Sequence, residues 1–362
     1  YYRDRRLPEW VRKWNGERFA DRYDGRTWNL LLDPAGYLAA GSDDRPWEEP
    51  PPGMGRTFPH ALPRRSAGVG FIEAIAASPF GDEVLLDFTE ELIDEEDIGD
   101  DEVVDYLSVS FSSFDYIGHR YGPSSLEMED AILRVDDIIA KLIRDVEQAA
   151  GPGRTLVVLS SDHGVAESPR QLEAEGKDGG TVALSQFENA PGMVKVRKKF
   201  GSKLVRRWWP PYVYLDNDAL RARALDPEKV ARELAAEFAK APGVHAAYTR
   251  GQIEAGPLPD TPDAKAVRRS FHSDRSGDIH VVSKPGWQLA YEGENPKRYT
   301  TGHGTPWEYD THVPLIFAGP GVKRGQVSRR VETVDAAPTI AALLGIEPPS
   351  RATGRPLPEP LR

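Results

Sequence analysis

The segment from Val103 to Ser160 constrains the fold of this chain more than any other. Val103-Val104-Asp105-Tyr106-Leu107-Ser108-Val109-Ser110-Phe111 is rich in β-branched and aromatic residues and predicts a buried strand. Ser124-Ser125-Leu126-Glu127 offers a capping-box-like helix start, and Ile132, Val135, Ile139, Leu142 and Val146 follow at steps of three and four until Gly151. That spacing predicts a long helix with one face on a core. A second short apolar run, Thr155 to Ser160, comes at once. Strand, helix, strand in this order describes a βαβ unit. The expected fold class is therefore α/β, with a mostly parallel sheet flanked by helices.

The rest of the chain arranges itself around that unit. Residues 1–40 are rich in Trp, Tyr and Arg without a sustained period, and 41–63 is a Pro/Gly-dense loop. Gly68 to Ala77 is apolar and helix-compatible. Gly81 to Asp105 carries thirteen Asp or Glu, and within it Val84, Leu85, Phe88, Leu92 and Ile93 suit an amphipathic helix with an acidic outer face. Residues 165–270 are less regular, with a basic stretch from Lys195 to Arg207, the pair Trp208-Trp209 and a helix from Pro227 to Lys240. They read as a cap inserted into a single domain over 1–362. Strand signals return at Asp278 to Val282 and Val313 to Phe317, and a last helix from Ala336 stops at Gly345.

Composition narrows the function classes. With 46 Lys plus Arg against 57 Asp plus Glu, the net charge of -11 argues against general affinity for nucleic acid or an anionic membrane, while leaving room for a local phosphate site. Cysteine is absent, which excludes disulfides, thiolate nucleophiles and Cys-ligated metal centres. Any metal must be held by His, Asp or Glu. No run approaches the roughly 18 apolar residues of a membrane span, and no signal-peptide pattern opens the chain. The first residue is Tyr1, as expected of a processed or truncated product.

Among eight histidines, three stand out by their position. Asp115 and His119 are four apart just after the first strand signal, where a helical turn puts both on one side. Asp162-His163-Gly164 follows directly on the second strand, at the end where open α/β sheets bind ligands, and Gly164 supplies the break that lets neighbouring side chains share a site. His303 lies between glycines in Thr301-Gly302-His303-Gly304-Thr305, ahead of a third strand. Mixed carboxylate and imidazole ligands suit zinc, and two such ions about 4 Å apart can clamp a phosphoryl group. Asp278, His280, Asp310 and His312 each sit beside a strand signal and read as structural. His60, His245 and His272 read as solvated loop histidines.

The stretches Ser113-Phe114-Asp115-Tyr116-Ile117-Gly118-His119-Arg120-Tyr121-Gly122-Pro123 and Leu159-Ser160-Ser161-Asp162-His163-Gly164-Val165-Ala166 resemble the alkaline phosphatase superfamily. The likeness is nearest to bacterial phosphate-irrepressible alkaline phosphatases and the related nucleotide pyrophosphatase/phosphodiesterases. Leu7-Pro8-Glu9-Trp10-Val11, Tyr309 to Gly319 and Asp335 to Ile340 extend it over most of the chain. The resemblance implies two zinc ions, one held by Asp115, His119 and His303 and the other by Asp162 and His163. It also implies hydrolysis of small phosphate esters, monoesters first, through a covalent phosphoenzyme, in a periplasmic or secreted protein.

In that family the nucleophile, a further Asp ligand of the second ion and the Asn, Lys and Arg groups that touch phosphate lie upstream of the position where Tyr1 falls. The 362-residue chain is therefore expected to carry half a site and to be inactive alone. Three alternatives stay open. One is a metal-binding fragment or degenerate homologue without turnover. Another is a phosphodiesterase or nucleotide pyrophosphatase. The last is sulfate ester hydrolysis or phosphomutase chemistry on the same scaffold. The sequence sets no oligomeric state.

Overall fold

The computed structural model describes residues 6–188, 190–291 and 299–361. A helical layer forms where the apolar periodicity places it. Val69–Ala76 leads into Pro79–Glu95, which starts on a proline whose missing N–H costs a helix nothing in its first turn. Phe80, Leu86 and Ile93 turn inward, as does Asp82, while the other acidic residues are half-buried or exposed. The helix Ser113–Tyr121 follows, then the long helix Leu126–Ala150. Ser125 caps the long helix, its hydroxyl accepting the Met128 N–H at 3.1 Å, and Gly151 at φ 87° ends it. Trp28, Phe71, Ile117 and Tyr121, all at most 2% exposed, fill the core under this layer.

The strands depart from the expected pairing. Val103 to Phe111 forms no strand, and Val103, Val104 and Tyr106 are 71%, 68% and 78% exposed. Val157–Ser160 pairs instead with Leu315–Ala318, antiparallel, with Ser160 opposite Leu315 and Val157 opposite Ala318. The physical reason is that β-propensity is realised only against a neighbouring ladder, and no described strand pairs with 103–111. The stripe on the long helix is correspondingly half-covered: Ile132 is 50% exposed and Val135, Ile139, Leu142 and Val146 are intermediate. The α/β class stands, but the parallel βαβ unit does not form among the described residues.

A second core lies further along the chain. Four antiparallel strands run in the order Val205–Trp209, Tyr212–Leu215, Ile279–Ser283, Val244–Thr249. The helices Pro191–Phe200 and Pro227–Phe238 supply Met193, Val196, Phe200, Val230, Leu234 and Phe238 to the cluster that includes Trp208, Val213 and Ile279. Asp226 caps the second of these helices. The described parallel pair joins Gly180–Val182 to Trp287–Leu289. This pair brings Gln288 against Thr301 at 3.4 Å, and so sets the strand beside the Gly-flanked loop that bears His303. No described helix is long and apolar enough to cross a membrane.

Candidate metal centre

Two loops and one helix meet at a cluster of imidazoles and carboxylates. On the helix Ser113–Tyr121 the i, i+4 spacing puts Asp115 and His119 side by side, with His119 Nε2 3.4 Å from Asp115 Oδ2. From the glycine-flanked loop, His303 Nε2 lies 3.6 Å from Asp115 Oδ1. One ligand atom from each of these three residues falls within 4.8 Å of the other two. His163 Nε2 is 3.4 Å from Asp162 Oδ2, and its ring lies flat on that of His303, centroids 3.4 Å apart and planes within 13°. All five residues singled out in the sequence share one neighbourhood.

These separations fit a metal better than they fit hydrogen bonds. At 3.4–3.6 Å the imidazole–carboxylate contacts are long for charge-assisted bonds. Two ligands on one tetrahedral zinc, each at about 2.0–2.1 Å, stand roughly 3.3 Å apart. The far nitrogens agree. His119 Nδ1 is 2.8 Å from the Thr301 carbonyl and His163 Nδ1 is 2.9 Å from the Gly164 carbonyl. Donation from Nδ1 leaves Nε2 unprotonated on the ligand side, as in histidines whose outer partner fixes the tautomer.

The electrostatics of the group couple the three residues tightly. Burial alone would raise Asp115, but His119, His303 and His163 around it hold its carboxyl below the usual range. Burial alone would lower His119, yet Asp115 and the Thr301 carbonyl raise it. His303 is lowered by burial and by the adjacent His163, which keeps that imidazole neutral and available as a ligand. The second pair is less complete. Asp162 has an 87% exposed side chain and belongs to no three-membered ligand group among the described residues.

The local chain explains how the loops reach this place. Gly164 is obligatory, since a Cβ there would stand 2.1 Å from the Tyr309 carbonyl oxygen. Thr300 and Thr301, the first of them outside the Gly-flanked motif seen in the sequence, anchor the His303 loop. The Thr300 N–H donates to the His119 carbonyl at 2.8 Å, and Thr301 Oγ1 donates to the Ala166 carbonyl at 2.7 Å. Their polar side chains beside a Gly-His-Gly tripeptide were the available signal.

Of the residues read as structural, His280 and Asp278 are tied into the fold, and of the histidines read as solvated loop residues, His245 and His272 are exposed whereas His60 is not. His280 is buried on Ile279–Ser283, and burial pushes it down to about 4. Asp278 accepts from the Leu215 N–H and from Asn217. His245 pairs with Asp263 at 3.2 Å, and His272 is exposed. His60 is not a solvated loop residue. It is fully buried on the short strand His60–Ala61 and bonds to Glu127 at 3.0 Å, because the loop around it folds under the long helix.

Known proteins resemble this chain over most of its length. Residues 3–310 match the family model for type I phosphodiesterase / nucleotide pyrophosphatase. Alkaline phosphatase PafA of Elizabethkingia meningoseptica is 32% identical over 368 residues, covering 99% of this chain and 64% of that protein. Alkaline phosphatase PhoV of Synechococcus elongatus is 30% identical over 354 residues, 96% of this chain and 62% of its own length. The chain thus spans just under two thirds of the length of these relatives. A crystal structure of wild-type alkaline phosphatase PafA superposes with a TM-score of 0.87 at 30% identity, over 100% of this chain and 68% of that one. The chain belongs to the type I phosphodiesterase / nucleotide pyrophosphatase family, within the alkaline phosphatase superfamily.

Proposed function

We propose that the protein containing this chain is a zinc-dependent phosphoric ester hydrolase, acting on small phosphate monoesters. The observation that carries the reading is the convergence of Asp115, His119 and His303, with one ligand atom of each within 4.8 Å of the others and both imidazoles 3.4–3.6 Å from the Asp115 carboxylate. These three would hold one zinc, and Asp162 with His163 a second. Zinc supplies Lewis-acid charge that screens phosphoryl oxygens and activates a hydroxyl. The protein's own contribution is placement: Thr301 and Gly164 aim the imidazoles of His119 and His163, and the stacked His163 and His303 join the set of three ligands to the pair.

The remaining ligand of the second ion and the Thr or Ser nucleophile of a covalent phosphoenzyme mechanism are assigned to no residue of this chain. The exposed Asp162 and the uncovered 103–111 segment support the view that further polypeptide completes the site. Residues 165–270, which hold most of the second core, are proposed to act as a cap, and a periplasmic or secreted location belongs to the same reading. Phosphodiester hydrolysis is the second reading, favoured by the family match over 3–310.

The test is hydrolysis of an aryl phosphate monoester and of the matching diester by the complete protein before and after exhaustive chelation. Monoester turnover that disappears on chelation and returns with zinc is expected. Faster diester turnover would favour the second reading, and turnover indifferent to chelation would contradict both.

A further inference from the structure

Asp310 stands behind the metal-ligand loops and is 3% exposed. It lies in the four-residue helix Glu308–Thr311, ahead of the strand Leu315–Ala318. Its side chain reaches one loop: Oδ2 accepts the Thr305 N–H at 2.7 Å and the Thr305 hydroxyl at 2.6 Å. Its main chain reaches the other, its carbonyl accepting the Gly164 N–H at 2.8 Å. One residue therefore ties the Asp162-His163-Gly164 turn to the far side of the His303 loop.

The near side of that loop is tied independently. Thr301, two residues before His303, bonds to the Ala166 carbonyl, and the Ala166 N–H donates to the Gly302 carbonyl at 3.3 Å. Thr305, two residues after His303, is the residue that Asp310 holds. His303 is suspended between two anchors, and its ring then lies on His163 at 3.4 Å. The second oxygen of Asp310, Oδ1, is buried without a hydrogen-bond partner among the described residues. A buried carboxylate oxygen left open is costly unless positive charge lies nearby. His163, in the ligand cluster, is the basic group whose charge acts on this carboxyl.

We infer that Asp310 is a positioning residue for the metal centre: it is not a ligand, but it fixes the relative placement of the two ligand-bearing loops and so sets zinc affinity. This rests on the zinc reading above. Removing outer partners of metal ligands commonly costs about 10- to 100-fold in affinity.

The experiment is zinc affinity of the complete protein, by competition with a chromophoric chelator, for the parent, Asp310→Asn and Thr305→Val, with the melting temperature of each zinc-free form. Asp310→Asn keeps the shape and an acceptor for Thr305 but removes the charge; Thr305→Val removes one of the two bonds. Zinc affinity is expected to fall by about tenfold or more in Asp310→Asn and by less in Thr305→Val, with turnover of both recovering at saturating zinc. Parent-like affinity in both variants would overturn the inference, as would an affinity loss that excess zinc does not recover. A parent that binds no zinc would instead overturn the reading on which the inference rests.

Discussion

The helix Ser113–Tyr121 carries one histidine–carboxylate cluster and packs against another through Tyr121, and the two are built from the same residue types to opposite ends. At the candidate metal centre His119 and Asp115 keep solvent access, with side-chain exposures of 17% and 36%. Their mutual field raises the imidazole and lowers the carboxyl, favouring the charged forms. In the other cluster, His60 and Glu127 are 0% exposed and pack among Trp28, Phe58 and Tyr121, with ring centroids 4.5–5.3 Å from His60. Burial pushes His60 down to about 4 and Glu127 up to about 8, and Glu48 nearby rises to about 9 through burial and the Glu127 charge. Desolvation thus disfavours the charged form of each partner in the His60–Glu127 contact. Desolvation, rather than residue identity, decides which cluster can serve a cation.

The comparison can be broken in two ways. The larger effect belongs to the open site: His303→Ala should weaken zinc binding by well over about a hundredfold, more than an outer-shell change costs, while the melting temperature of the zinc-free protein stays close to the parent. A chelator competition series reads the first quantity and calorimetry the second. Unchanged affinity would remove His303 from the ligand set.

The closed cluster predicts the reverse pattern. Glu48 and Glu127 have folded-state values raised above those of an unfolded chain, so the folded form holds protons that the unfolded form releases above about pH 4.5. Their stabilisation is complete below that value and is lost as pH rises through about 8 to 9. His60 acts oppositely, its contribution being present above about pH 6.5 and lost as pH falls through about 4. With two acids losing stabilisation above about pH 4.5 and one histidine gaining it only between about 4 and 6.5, stability should be greatest at about pH 4 to 5 and decline by on the order of a few kcal/mol towards pH 9. The double variant Glu48→Gln, Glu127→Gln should flatten the alkaline limb of a melting-temperature series without changing zinc affinity. An alkaline limb as steep as the parent's would show that the two acids are not held neutral.

The open cluster was legible in the sequence because each of its parts is local. Asp115 and His119 need only one helical turn, Asp162 and His163 need a strand end broken by Gly164, and His303 carries its glycines with it. His60 was misread because its partner Glu127 lies 67 residues away and only tertiary packing brings the loop beneath the helix. Asp310 looked like strand-edge filler for the same reason, since its partners Gly164 and Thr305 belong to different segments. The helices over 69–95 and 126–150 formed as their periodicity predicts. The strand expected over 103–111 failed because a strand, unlike a helix, finds its hydrogen bonds outside itself.

The most direct test of the account is the zinc content of the complete protein after dialysis against trace zinc, measured by elemental analysis for the parent and for Asp115→Ala. The account predicts two zinc ions per chain in the parent, with at least one lost in the variant. A parent that retains no zinc, or a variant that retains as much as the parent, would contradict it.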